Sequence, residues 1–473
     1  MKSRTIWTFA IVSAALFMVT LDNLVVTTAL PVIRKDLGAT IQQLEWTVNA
    51  YTLTYAVLLL TGAALGDRFG RRRAFLGGLA IFTLGSAAAA IAPDTGALIA
   101  SRALQGAGAA VVTPLTLTLL AEAVPAGRRG LALGAWSGIS GLGVALGPVV
   151  GGAVVDGLSW QWIFWLNVPI GLLAIPLAAR HLDESFGPRE RLDLRGLVLG
   201  SVGLLGVVYG VVKAQSLGWS ATTVLASLSA GVLLLIGFAV VERRSESPML
   251  PLRFFQSRRF SATNGVSFAM YFGIFGAIFL LAQFFQTVQG MSPLEAGLRT
   301  LPWTGMPMVI APFAGIWSDR IGSRPLMATG LALQAIALAW IAVVTAPDTA
   351  YGLLVPAFVM AGTGMALVFA PAANSVLQAV RPDQAGKASG ATNTVRELGG
   401  VFGVSVLASV FAASGGYQSA QAFVDGVVPA LWVGVAVLGA GALAALAIPG
   451  ISRRKPEVAA LPASPRPCES QAA

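Results

Sequence analysis

The sequence predicts an all-α polytopic membrane protein with about fourteen spans, on three observations. Charged residues make up 11% of the 473 positions and hydrophobic residues 56%, with a mean hydropathy of +0.76. A soluble domain carries about 25% charged residues, so this chain lacks the material for a water-facing surface. Apolar runs of span length, about 20 residues, recur along the whole chain. The short loops between them alternate between arginine-rich and nearly uncharged.

The runs begin near Ile6, Trp46, Ala74, Ala97, Leu131, Trp162, Leu194, Ala221, Phe260, Ala296, Leu326, Tyr351, Val395 and Val427. Lys2 and Arg4 resemble the basic region of a signal peptide, but the run behind them is too long for a signal core and carries Asp22. It is expected to be the first spanning helix. The loops after the even-numbered spans hold "DRFGRRR", "AGRRG", "RHLDESFGPRERLDLR", "ERRSESPMLPLRFFQSRR", "DRIGSRP" and "RPDQAGK", and the chain ends near Arg453, Arg454 and Lys455. The loops after the odd-numbered spans hold "RKD", "PDTG", "DGLSW", "QGMSP", "PDTAY" and little else beyond Lys213. By the positive-inside rule the arginine-rich side is cytoplasmic. An even count then places both termini there, in a multi-pass protein of the cytoplasmic membrane.

The formal net charge of +10 would suggest a nucleic-acid partner in a soluble protein. Here the same arginines account for topology, so the bilayer is the expected partner and nucleic acid is not. One cysteine, Cys468, and one histidine, His181, leave almost nothing from which to build a disulfide, a metal centre or a histidine-based active site. No phosphate-binding loop is evident. The chain is expected to be neither an enzyme nor a cofactor binder.

An internal repeat divides the chain. "GAALGDRFGRRR" follows span two and "FAGIWSDRIGSRP" follows span ten; their D-R-x-G cores at Asp67 and Asp319 stand about 250 residues apart. A second echo, "PAGRRGLALG" from Pro125 and "DQAGKASG" from Asp383, recurs at nearly the same offset. Two homologous halves follow: six spans in 1–180 and six in 254–450. Residues 181–253 form a linker with two extra spans, and 451–473 read as a disordered cytoplasmic tail.

Several stretches go beyond topology. In "LGDRFGRRR", Gly70 permits a tight turn, Asp67 can accept from exposed amides at a helix N-terminus, and Arg68 and Arg71 hold the loop inside. Asp319, Arg320 and Gly322 form the second copy. "LIASRALQGAGAA" places Arg102 about one and a half turns inside span four, where it could snorkel to the outer surface or face the protein interior. "GLGVALGPVVGG" puts Pro148, which kinks a helix, among Gly141, Gly147, Gly151 and Gly152 on span five. "WQWIFWLNVPIG" opens span six, and "LDNLVVTTALP" sets Asp22 and Asn23 inside span one. An ionised Asp at mid-membrane costs roughly 2.5–3.5 kcal/mol on insertion scales.

These patterns resemble those of the major facilitator superfamily. D-R-x-G-R-R resembles its signature loop, with Ala63 where Gly is usual and Ser323 interrupting the second copy. R-x-x-Q-G at Arg102 resembles its span-four pattern, in which the arginine takes part in proton coupling. The Gly-Pro stretch resembles the motif of its antiporters. W-x-W-x-F-x-x-N-x-P-x-G and the span-one motif are similar to those of its fourteen-span drug:proton antiporters. The resemblance runs from Leu21 to about Pro449. It implies two six-helix bundles around a midplane cavity that opens to one side at a time, with the two extra central helices lying peripherally.

The function so implied is a proton-coupled antiporter, a monomer, that exports amphipathic drugs or antibiotics. A dedicated exporter of one endogenous metabolite, such as a siderophore or biosynthetic product, is the alternative; a transport-inactive sensor is a third. Asp22 lies about eight residues from the outer end of its span and Arg102 about five, depths of about 12 and 8 Å, so the two could approach. They are the expected proton-coupling pair, because desolvation favours the neutral carboxyl and a nearby guanidinium the charged one. Asp67, Arg68, Gly70, Arg71, Asp319, Arg320 and Gly322 form the expected cytoplasmic gate loop. Asn23, Gln105, Asn264, Gln283 and Asn374 are candidates for the substrate cavity. Like Asn49 and Gln334, they could equally be helix–helix hydrogen bonders. Arg396 and Glu397, inside span thirteen, are either a structural pair or a second charged site.

Overall fold

The structure, a computed structural model, describes residues 3–124, 129–186, 193–245, 248, 250–380 and 384–450. The predicted tail lies outside these residues, as does part of the second sequence echo. Fifteen α-helices run through them: α1 (Ser3–Leu37), α2 (Ile41–Phe69), α3 (Arg71–Ala90), α4 (Thr95–Ala123), α5 (Arg129–Gly157), α6 (Trp162–Trp165), α7 (Asn167–His181), α8 (Leu194–Leu217), α9 (Thr222–Arg244), α10 (Arg258–Gln283), α11 (Pro293–Ile321), α12 (Ser323–Val344), α13 (Tyr351–Gln378), α14 (Ala385–Ser414) and α15 (Ala420–Leu446). A short 3₁₀ turn (Leu252–Gln256) precedes α10 and a π turn (Phe284–Val288) extends it.

Among the described residues, twelve helical segments are long and apolar enough to cross a membrane, with α6 and α7 together forming one of them. A thirteenth is α2 taken whole, bent by 49° between Leu59 and Thr61. The fourteenth span expected from sequence falls on α11. That helix has the length, but Pro302, Pro307, Pro312 and its Thr, Trp and Gly residues dilute its apolar character.

The repeat seen in the sequence has a local structural counterpart. The second helix of each half starts with a capping box, Thr40 with Gln43 on α2 and Ser292 with Glu295 on α11. Each box satisfies two amide donors that a helix start leaves open. Each of these helices ends at a glycine with positive φ, Gly70 at 106° and Gly322 at 89°. Both glycines cap one helix and open the next.

In the first half, α4 packs on α1, α2 and α3, while α1 also lies against α5 and α7. In the second half, α10 packs on α14 and α15, and α12 on α13 and α15. Two seams join the halves, α5 against α11 and α2 against α14. Gln286 Nε2, on the π turn, donates to Thr28 O of α1 at 2.8 Å and adds a third link.

The two extra helices form a hairpin, but only α9 is peripheral, with most of its surface turned outward. Helix α8 leans on both α2 and α14. Val208 and Val212 pack with Leu53 of α2 and Val401 of α14, and Gln42 Nε2 donates to Val212 O at 3.3 Å. The analogy that put both helices at the periphery is thereby corrected for α8. Its valines complete an apolar patch to which both halves contribute.

Candidate functional site

The structure brings Asp22 and Arg102 together. Arg102 does not snorkel: it is 1% exposed and Asp22 is wholly buried. Arg102 Nη1 stands 2.5 Å from Asp22 Oδ2 and also donates to Gln105 Oε1 at 2.9 Å. Asp22 Oδ1 accepts from Asn167 Nδ2 at 2.7 Å and from Gln105 Nε2 at 3.2 Å. Ser86 Oγ accepts from both amides, at 3.0 and 2.9 Å, and donates to Phe164 O at 3.0 Å. Arg102 Nε donates to Thr47 O at 3.3 Å, and the guanidinium carbon sits 4.3 Å from the centre of the Tyr51 ring.

Burial on this scale without partners would neutralise or expel the charges. Here six helices meet to supply partners: α1 gives Asp22, α2 the Thr47 carbonyl and the Tyr51 ring, α3 Ser86, α4 Arg102 and Gln105, α6 the Phe164 carbonyl and α7 Asn167. A proton arriving at Asp22 would disturb the bonds it accepts from Arg102, Gln105 and Asn167. Asn167 and Ser86 were not selected from sequence. Asn167 carried a signal, since it is the asparagine of W-x-W-x-F-x-x-N. Ser86 in "LGSAAAA" carried none. Gln105, a candidate for the substrate cavity, lies within this carboxylate network.

The glycines of α5 grip the same stretch of α1. A methyl on Gly143 would overlap Thr20, one on Gly147 Leu24, and one on Gly151 Thr28 and Val25. The spacing of four puts these three glycines on one helix face. Gly152 and Pro148 face the other half: a methyl on Gly152 would overlap the Pro293 carbonyl, and one on Gly297 the Pro148 carbonyl. Gly141 has no such neighbour, nor does Gly138. Within this motif the close-packing register is therefore 143, 147 and 151, with 152 turned to α11. Gly305 and Gly315, farther along α11, meet only one atom each at 3.9–4.0 Å. The two helices thus touch closely at the end away from the basic loops.

On the far side, the Arg34 guanidinium lies 3.5 Å from the centre of the Tyr417 ring, joining α1 to the loop before α15. Burial pushes the Tyr417 phenol well above its usual range, with Arg34 opposing less strongly. The hydroxyl stays a donor, and Gln283 Oε1 accepts from it. Glu45 is fully buried on the first turns of α2, and neither of its oxygens has a hydrogen-bond partner. On the basic-loop side, Arg71 clasps Asp67 through Nε and Nη2, at 2.9 and 2.7 Å, and reaches Glu122. Arg72 and Arg73 pair with Glu184 at 3.8 and 3.5 Å. These partners belong to the first half and, for Glu184, to the start of the linker.

One expectation about this loop is corrected. Asp67 does not cap the helix after it. The Arg72 amide at the start of α3 donates to Glu184 Oε1 at 3.0 Å, and Arg71 N to Ser185 O at 2.8 Å. Asp67 ends α2, where the helix dipole disfavours a carboxylate and Arg71 offsets the penalty. Arg68 is exposed beside the Phe69 ring. In the second copy, Arg320 is exposed and Ser318 and Ser323 share a hydrogen bond of 3.0 Å across Gly322. The Asp319 side chain lies outside the described set.

The Major Facilitator Superfamily matches this chain over residues 12–404 and again over 265–469. The chain belongs to the major facilitator superfamily. Within the superfamily it is 35% identical over 414 residues to the tetracenomycin C resistance and export protein of Streptomyces glaucescens, covering 87% of this chain and 77% of that one. It is 40% identical over 405 residues to the cephamycin export protein CmcT of Amycolatopsis lactamdurans, covering 83% and 82%. The fold is similar to the crystal structure of a bacterial homologue of the human lysosomal transporter Spinster, with TM-score 0.66 and 16% identity over 94% and 97% of the two chains. As a member of this superfamily, the chain is a multi-pass membrane transporter.

The remaining candidates scatter. Asn23 is half-buried, and its Oδ1 has no partner. Asn264 and Gln283 donate to the carbonyls of Phe260 and Phe279, one turn back on α10, at 2.9 and 2.8 Å. Asn374 is half-buried on α13. Asn49 crosses the seam, donating to Ser405 Oγ at 2.8 Å.

Proposed function

We propose that this chain is a proton-coupled antiporter exporting amphipathic drugs or antibiotics across the cytoplasmic membrane by alternating access. The observation that carries this reading is the Asp22–Arg102 pair, buried on the α1 stretch that α5 grips while α5 also touches the other half. Neutralising Asp22 frees Arg102 and alters the packing of α1. Because α5 contacts both α1 and α11, a shift of α1 reaches the seam by direct contact. Proton and substrate then exchange by competing for one state of the protein. The names of the relatives, both export proteins for antibiotics, support the substrate class.

In this reading both termini and the basic loops are cytoplasmic, and the transporter acts as a monomer. Its parts are 1–180, the helix-bearing linker 181–253, 254–450 and a cytoplasmic tail. The test is efflux from proteoliposomes across a panel of dyes and antibiotics under an imposed pH gradient, with and without a protonophore. Gradient-driven efflux that the protonophore abolishes is expected; efflux indifferent to the gradient would overturn proton coupling. Since each relative is named for one compound, export of a single biosynthetic product is the second reading, and activity confined to one compound would favour it.

Asp67 and Arg71 would bias the inner gate. Asp67→Asn removes the charge that clasps Arg71 and is expected to slow turnover severalfold while leaving substrate affinity within a factor of two. Initial rates against substrate concentration check this; lost affinity at unchanged turnover would refute it.

A further inference from the structure

A second pair of charges lies at the middle of the seam and takes no part in the Asp22 network. Arg396 and Glu397 of α14 are each 8% exposed. They are neighbours in sequence and yet form no ion pair with one another. Glu397 Oε2 has no hydrogen-bond partner, nor do Arg396 Nε and Nη2. The single bond here is a long one, from Arg396 Nη1 to Asn393 Oδ1 at 3.4 Å. Residue 397 stands about 18 Å along its helix from Ala385, near mid-membrane. Buried charges are ordinarily paired, so two left open side by side require an explanation.

Aromatic rings from both halves surround them. The Arg396 guanidinium carbon lies 5.0 Å from the centre of the Phe369 ring and 6.0 Å from that of Tyr271. Those two rings are 6.1 Å apart. From the first half, Tyr51 and Tyr55 stack at 6.1 Å, within electrostatic reach of the Glu397 carboxylate, as is Tyr271. The unmet groups are thus one acceptor and two donors, set among π faces.

We propose that Arg396 and Glu397, with Tyr271, Phe369 and Tyr55, form the substrate site, and that it takes planar aromatic compounds whose edge carries adjacent hydroxyl and carbonyl groups. The hydroxyl donates to Glu397 and the carbonyl accepts from Arg396, while the ring plane stacks on the aromatic side chains. A lipophilic cation satisfies only Glu397 and faces the Arg396 charge. The inference rests on the export reading and names its substrate. It also connects the two sites: Tyr51 lies under Arg102 and stacks on Tyr55, so an occupant beside Tyr55 is two rings from the Asp22 pair.

The test is equilibrium binding to the full chain in lipid nanodiscs without a gradient, followed by quenching of tryptophan fluorescence. The probes are emodin, a neutral trihydroxyanthraquinone, and ethidium, a planar cation without a carbonyl. Emodin is expected to bind more tightly than ethidium. Glu397→Gln is expected to weaken emodin at least tenfold, and Phe369→Leu about fivefold. The leucine variant carries the test if the glutamine variant does not yield monodisperse protein. Emodin affinity unmoved by the substitutions, or ethidium bound more tightly than emodin, would overturn the site. Emodin bound as expected but without gradient-driven efflux would overturn the antiport reading alone.

Discussion

Asp22→Asn is expected to abolish proton-driven efflux while leaving a folded, membrane-inserted protein. The amide matches the carboxylate in size and keeps an oxygen to accept from Arg102, while its NH2 faces the Asn167 and Gln105 amides, which must turn to present their oxygens. What it loses is the group that can change charge. Removing one partner of a buried ion pair outright costs about 3–5 kcal/mol, and Asn offsets part of that through its remaining acceptor. Arg102 also keeps Gln105, the Thr47 carbonyl and the Tyr51 ring. Transport is expected to fall to the level of empty liposomes under an imposed pH gradient, with yield and chromatographic profile unchanged. Full gradient-driven efflux by this variant would remove Asp22 from the mechanism. A protein that fails to insert would show instead that the pair is needed for folding; Asp22→Glu, which preserves the charge, would then separate the two roles by its recovery of efflux.

Gly152→Leu is expected to lower gradient-driven efflux at least tenfold. Even a methyl at this position overlaps the Pro293 carbonyl, and Leu294 lies next to it. Backbone cannot move aside as a side-chain tip can, so α5 and α11 must separate where they now touch. Small residues permit such approaches between membrane helices. Overpacking a tight contact typically costs about 1–3 kcal/mol. That cost falls on the arrangement closed at the far side, so the balance between the two facings shifts by roughly one to two decades. The same substitution at Gly138, which has nothing within 4 Å, is expected to change efflux less than twofold. Initial efflux rates normalised to inserted protein compare the two. Equal losses at both positions would show that the contact with α11 is not what matters.

The sequence carried the larger features of this molecule, for reasons that can be traced. Apolar runs of fixed length identify helices because a bilayer leaves the backbone few alternatives. Asp22 and Arg102 stood out because charge inside a span is costly, and their depths along two rods were sufficient to suggest the meeting. Neutral partners were harder. Ser86 looks like any small residue until α7 is seen opposite it, and Asn167 was legible only as a letter in a motif. The capping role given to Asp67 failed because Glu184, more than a hundred residues away, occupies that position. Glu45, near the start of its helix, is buried completely by the fold. Distance along a span could be estimated; the rotation of each rod about its axis could not.

The placement of α8 bears on how a greasy molecule reaches such a pump. Compounds that dissolve in lipid arrive sideways, through gaps between helices, as readily as from water. The α2–α14 seam is one of the two lateral gaps, and α8 lies across it with Val208 and Val212 seated on residues from both edges. That flank is therefore a blind wall to the bilayer, backed further by α9. The α5–α11 flank has no such cover among the described helices. A compound dissolved in lipid therefore meets a covered flank on one side and, on the other, the uncovered glycine-lined helix that grips Asp22's stretch of α1.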